Sequence, residues 1–251
     1  MVEAGQRLQA LVRGDLRRPP APPVVLGPER ILYEDAVLIA IDKPPALPTV
    51  ATADPARPHL AGLVAALLAA RDGREAPASL GVHQRLDRDT SGVVLFAKDA
   101  AANPGLAAQF AARAVEKVYV ALTVRPARLP PPRWRAEEPV DDSARPAFTD
   151  FAVREVLPGG LIVEARPRTG RKHQIRIHLA RASLPILGDP AYGGPAAGRA
   201  PRLMLHAARL ALRHPVSGAP LSVTSPLPRD FAAACARLRS PVTATGGRRR
   251  R

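Results

Sequence analysis

The 251-residue chain holds a single cysteine, Cys235, which excludes an internal disulfide and any zinc cage built on thiolates. Within "FAAACARL" that cysteine reads as a small apolar side chain buried on a helix. Aromatic residues make up only 4% of the chain, too few for an RNA surface built from many stacked rings. Acidic residues are also scarce: 22 Asp and Glu stand against 37 Lys and Arg, a net charge of +15. No apolar run approaches the ~18 residues of a membrane-spanning helix, and "MVEAGQRLQALVRGDLRR" lacks the apolar centre of a signal peptide. This balance favours a polyanionic partner, nucleic acid foremost, over a membrane, and the cytoplasm is the expected compartment.

Proline and glycine, by contrast, are plentiful at 29 and 18 residues, and they argue against a helical bundle. Hydrophobic residues reach 46%, enough for a folded core. Residues 1–27 are expected to form an arm, with a short helix over 3–14 stopped by "RRPPAPPVV", rather than a domain of their own. One domain is expected over 28–240, followed by a basic, disordered tail over 241–251. Strands are predicted over Val37 to Ile41, Val93 to Ala97, "KVYVALTV", "AFTDFAVREVL" and "LIVEARP", the last two meeting at Pro158-Gly159-Gly160. Two more are predicted within "LMLHAARLALRHPVSGAPLSVTSPLP". Helices are predicted over 60–71, over 103–116 with Leu106, Phe110 and Ala114 on one face, and over "RDFAAACARL". The stretch "RKHQIRIHLARASL" fits both periods, and its length favours a helix. Strands and helices mix without regular alternation, which points to an α+β fold rather than a doubly wound sheet.

The densest charge lies in "GVHQRLDRDTSGVVLF", residues 81 to 96, where Arg85, Asp87, Arg88 and Asp89 precede an apolar strand. A solvated ion-pair cluster is the ordinary explanation for such a loop. Here, however, Thr90, Ser91 and Gly92 are expected to turn the chain into Val93, so Asp87 would stand at the mouth of a core strand, on a rigid scaffold. A phosphotransferase loop, D-x-D-x-S at Asp87, Asp89 and Ser91, would follow a buried strand and hold Mg²⁺, whereas this one precedes its strand. A glycosidase pair needs carboxylates about 5 to 9.5 Å apart, and Asp87 and Asp89 would lie ~6.5 Å apart along an extended chain. His83, His173 and His178 are spaced badly for a metal site on one helix or strand face.

Taken with other segments, "HQRLDRDTSG" (83–92) closely resembles the H-R-L-D-x-x-T-S-G motif of the RluA-type pseudouridine synthase family. Three further stretches fall in the order that family shows: "LIAIDKP" (38–44), "EKVYVALT" (116–123), and "RTGRKHQIRIHLA" with "PILGDPAYGG" (168–180 and 185–194). The closing "LHAARLALRHPVSGAPLSVTSPLP" is similar to its last strands, so the resemblance covers about residues 28 to 235. Two features depart from the pattern. "KPPALP" has Pro45 and Ala46 where Pro-Ala-Gly is usual, and Gln84 is an extra residue between the motif's His and Arg.

The resemblance implies a mixed, largely antiparallel sheet core with flanking helices and loops, and an enzyme that isomerises uridine to pseudouridine in ribosomal or transfer RNA. It implies neither cofactor nor metal, and a monomer is expected. By motif position Asp87 is the essential carboxylate, acting as nucleophile or as base at the ribose. A carboxylate in a closed pocket resists ionisation unless a cation lies beside it, and Arg176 in "HQIRIH" matches the family's basic partner. Tyr119 in "KVYV" matches the tyrosine that stacks on the target uracil, and Arg85 the arginine that fills the space left by the flipped nucleotide. Lys43 is placed more loosely, as a substrate contact to phosphate or as a solvated strand end. A non-catalytic RNA-binding or ribosome-assembly protein of the same fold is the alternative, because the charge alone serves either function.

Overall fold

A computed structural model describes residues 26–73, 79–142 and 144–240. The expected helix over 3–14, its proline-rich stop and the Arg-rich tail lie outside the described residues. Among the described residues, ten strands form one sheet with four α-helices around it. In chain order they are β1 (Ile31–Glu34), β2 (Leu38–Lys43), α1 (Leu60–Arg71), β3 (Gly81–Val82), β4 (Ser91–Ala97), α2 (Ala102–Ala111) and β5 (Glu116–Val124). There follow β6 (Arg133–Ala136), β7 (Thr149–Leu157), β8 (Gly160–Pro167), α3 (Gln174–Arg181), β9 (Leu205–Arg213), β10 (Pro220–Thr224) and α4 (Arg229–Arg239). The spatial order is β1-β2-β4-β9-β5-β8-β7-β6, with β10 beside β9 and β3 beside β4. Every pairing is antiparallel except β4 with β9, so the sheet is mixed and largely antiparallel, as the α+β expectation had it.

Why β4 is apolar from Val93 to Ala97 follows from its cover. All seven of its residues are buried. Val94 and Phe96 face Ile39 and Ile41 of β2 and Leu60, Val64 and Leu68 of α1. Val93 and Leu95, on the opposite face, pack with Leu38, Ala40 and Leu106 of α2. A strand covered on both faces needs apolar residues at every position instead of alternating ones. A third cluster joins β5, β7 and β8 to Ile175 and Leu179 of α3 and to Phe231 and Leu238 of α4. Cys235 is buried in that cluster, as a small apolar residue would be.

Several predicted boundaries move. The helix α2 stops at Ala111 instead of reaching 116, because Arg113 takes a left-handed conformation (φ 56°) that turns the chain toward β5. The strand β6 lies inside the proline-rich stretch "LPPPRWR", where no periodic pattern marks it; it is a short edge strand paired only with β7, from Arg133 opposite Ala152 to Ala136 opposite Thr149. The turn expected at Thr90-Ser91-Gly92 sits earlier: Thr90 N donates to Asp87 O at 3.1 Å, and Ser91 and Gly92 already belong to β4.

One row of residues crosses the middle of the sheet and places the site. Gly92 of β4 pairs with Ala207 of β9, Ala207 with Tyr119 of β5, and Tyr119 with Ala165 of β8. The β4–β9 contact is only two residues long, Ser91 with His206 and Gly92 with Ala207. Gly92 is required there: its φ is 115°, and a Cβ would lie 2.2 Å from the Ala207 carbonyl oxygen. The charged loop therefore enters the sheet two strands from Tyr119, at the seam between the sheet's halves.

Candidate active site

The loop before β4 is held from below at two points. Thr49 Oγ1 accepts from Leu86 N at 3.0 Å and donates to Leu86 O at 2.9 Å, clamping the residue before Asp87. Lys43, at the end of β2, donates from Nζ to Pro44 O at 2.8 Å, Leu47 O at 2.7 Å and Arg88 O at 2.8 Å. Its side chain is fully buried, which corrects its placement as a phosphate contact or solvated strand end. The carbonyls reach it because "PPAL" turns back on itself, with Ala46 in the left-handed region at φ 63°. Ala46 thus makes the turn that glycine would make more cheaply, without diverting the chain. Burial pushes the Lys43 ammonium down to about 7, and Asp89 and Asp87 pull it the other way. Three carbonyl acceptors use all three ammonium protons, which favours the charged form.

Held in this way, Asp87 projects into a cleft of about 990 Å³ with Arg85, Tyr119, His173 and Arg176 in its lining. Arg176 comes from α3 and is almost wholly buried. Its Nη1 donates to Asp87 Oδ2 at 3.2 Å, while Nε and Nη2 donate to the two oxygens of Asp189 at 2.8 and 2.7 Å. Asp189 is fully buried and also accepts from the backbone amides of Ala191 and Tyr192. Burial pushes the Asp189 carboxyl up, but Arg176 and the two amides outweigh it and hold the carboxyl below its usual range. The guanidinium also lies over the Tyr192 ring, 5.0 Å from its centre.

On the other side of Asp87, His173 Nε2 stands 3.8 Å from Oδ1, and His173 Nδ1 is 3.0 Å from the Tyr192 hydroxyl. Burial pushes this imidazole below its ordinary value, against the pull of Asp87. His173 caps α3 in a left-handed conformation (φ 56°), an uncommon geometry for a residue with a side chain. The loop ahead of it is stitched by buried Gln174, which donates to Phe148 O and Thr149 Oγ1 and accepts from Thr169 Oγ1 and Arg171 N.

Sequence reasoning thus placed Asp87, Arg85, Tyr119 and Arg176 at one cleft and misplaced Lys43. Tyr119 is partly buried; burial, then the charge of Asp87, raises its hydroxyl's pKa. Arg85 is exposed and, among the described residues, makes no hydrogen bond or ion pair. Asp189, His173 and Tyr192 were missed as members of the site, although "GDPAYGG" and "RKHQ" had been singled out as segments. Arg88 and Asp89 pair with each other through two 3.0 Å hydrogen bonds, so Asp89 is not a second free carboxylate beside Asp87. The three histidines considered for a metal are separated by their partners: His83 bonds Asn103, His173 bonds Tyr192, and His178 bonds Thr149 and the Glu138 carbonyl.

Residues 37–181 match the family model described as RNA pseudouridylate synthase. A "Ribosomal large subunit pseudouridine synthase D" of Xanthomonas campestris is 37% identical over 229 residues, covering 81% of this chain and 67% of that protein. One of the same description from Xylella fastidiosa is 34% identical, covering 95% and 77%. Among solved structures, "Human RNA Pseudouridylate Synthase Domain Containing 4" superposes with a TM-score of 0.70 at 27% identity, covering 85% of this chain and 95% of that one. With its charged loop, Arg176 and Tyr119 converging on one cleft, the chain belongs to the RNA pseudouridylate synthase family.

Proposed function

We propose that this enzyme modifies uridine in large-subunit ribosomal RNA, with Asp87 as the reacting carboxylate. The choice of RNA follows the names of three bacterial relatives, each a ribosomal large subunit pseudouridine synthase D. In that reaction the N1–C1′ bond of uridine breaks, the uracil turns, and C5 bonds to C1′. The proton leaving C5 is balanced by the proton gained at N1, so the change is an isomerisation. Asp87 acts at the ribose, as nucleophile or as base, and Arg176 holds its carboxylate through the hydrogen bond from Nη1. Tyr119 stacks on the extruded uracil, and Arg85, exposed at the cleft, enters the gap left in the RNA. The enzyme works as a monomer in the cytoplasm, without metal.

The observation that carries this reading is the 3.2 Å contact from Arg176 Nη1 to Asp87 Oδ2 inside a cleft that also holds Tyr119. Incubating total RNA from a strain lacking the gene with the purified protein, in the absence of metal, and then mapping pseudouridine tests it. A new pseudouridine in large-subunit RNA is expected. RNA that binds and stays unmodified would favour the non-catalytic RNA-binding alternative.

A further inference from the structure

The same cleft carries a second aromatic feature that the reacting groups do not use. Phe110, from the last turn of α2, and His83, from the segment leaving β3, both line it. Their rings lie nearly parallel, 13° apart with centroids 6.3 Å from each other. His83 is fixed by Asn103, whose Oδ1 is 2.8 Å from its Nε2. Asn103 and Phe110 are two turns apart on α2, so a single helix face supplies both a ring and the anchor of the other ring. Helical spacing sends Leu106 of that face into the core, whereas Phe110 is left half-buried at the cleft.

Charge around these rings suits a phosphate chain. Arg57, Arg85, Lys117, Arg171 and Lys172 line the cleft, and its two carboxylates, Asp87 and Asp89, are each paired with an arginine. We infer that Phe110 and His83 form a second stacking shelf, distinct from Tyr119, which takes a nucleobase next to the target uridine. This rests on the RNA reading above. The occupant is a base of the same strand because the shelf is continuous with the pocket of Asp87 and is bordered by cations that make no ion pair among the described residues. Extruding one uridine unstacks its neighbours, and a flat ring face offers a neighbouring base a replacement contact.

Steady-state pseudouridine formation on in vitro transcribed large-subunit ribosomal RNA tests the shelf with Phe110→Leu and Phe110→Trp. Leucine keeps the apolar volume that packs against the core and removes the ring, so thermal melting should match wild type. Its kcat/KM is expected to fall roughly 5- to 100-fold, through KM. Tryptophan restores the ring and should return KM to near the wild-type value. A wild-type KM in Phe110→Leu, or a loss of rate at saturating RNA with KM unchanged, would overturn the shelf while leaving the RNA reading intact. If the wild-type protein itself gives no product, the RNA reading fails first.

Discussion

Arg176 grips Asp189 with two hydrogen bonds of 2.8 and 2.7 Å and offers its remaining nitrogen to Asp87 at 3.2 Å. The two carboxylates differ in kind. Asp189 is fully buried and saturated with donors, so it orients the guanidinium; Asp87 is a quarter exposed and faces the cleft. A guanidinium has a rigid planar fork, so fixing two of its nitrogens fixes the third. The resting site is thereby preorganised, with the cation already aimed at the Asp87 carboxylate.

Asp189→Asn should separate orientation from chemistry. Losing half of the bidentate pair lets the Arg176 fork swing, and kcat should fall about 100-fold, as for a misplaced catalytic partner. KM should change little, because Asp189 does not reach the RNA. Breaking this buried pair should also cost about 3 kcal/mol of stability, read by urea unfolding. A variant that loses stability and keeps kcat would make Asp189 a purely structural residue.

Lys43→Met tests the corrected role of that lysine. Removing the ammonium strands the buried Leu47 carbonyl and the half-buried carbonyls of Pro44 and Arg88, at a cost of about 3 kcal/mol. It also releases the Arg88 end of the loop that carries Asp87, so with Asp87 in its proposed role kcat should fall. A phosphate contact would behave differently, lowering the salt dependence of RNA binding by about one counterion. RNA binding titrated across salt concentrations should show an unchanged slope.

Ala46→Gly should stabilise the protein. Ala46 is exposed with φ 63°, so glycine relieves the left-handed conformation without losing packing. The gain should be about 1 kcal/mol, a rise in Tm of about 2–4 °C. An unchanged or lowered Tm would mean that the turn carries no strain.

His206 should make stability fall in mild acid. It is fully buried, donating from Nε2 to the Ser225 carbonyl at 3.2 Å and accepting the Ser91 hydroxyl on Nδ1, 3.0 Å away. Burial holds its pKa below the ordinary histidine value, so the unfolded chain takes up the proton first. Its contribution is complete above about pH 6.5 and is lost as the pH falls below that. His173, lowered in the same direction, adds to the slope. Between pH 7 and 5, urea unfolding of His206→Gln should depend less steeply on pH than that of wild type.

How much of this was legible in the sequence depended on the scale of the interaction. The charged loop, Tyr119 and Arg176 could be placed at one cleft because each sits in a short ordered motif. The strands β4 and β5 could be placed because their apolar patterns are local. Asp189 could not be assigned a role, because its significance lies in which of five guanidinium donors it occupies, a fact of three-dimensional packing. Lys43 was misplaced for a related reason. A lysine after Asp42 and before two prolines has the local character of a strand end, and only the backward turn at Ala46 brings carbonyls around it. The strand β6 was hidden by the prolines before it; its existence depends on β7 offering an open edge.

Asp87→Asn under single-turnover conditions, with the RNA saturated by enzyme, tests the central claim most directly. The substitution keeps the shape of the side chain and removes its charge. The account predicts RNA affinity within about threefold of wild type and no pseudouridine above the enzyme-free control. Pseudouridine formed by Asp87→Asn at a rate close to wild type would remove Asp87 from the chemistry and contradict the account.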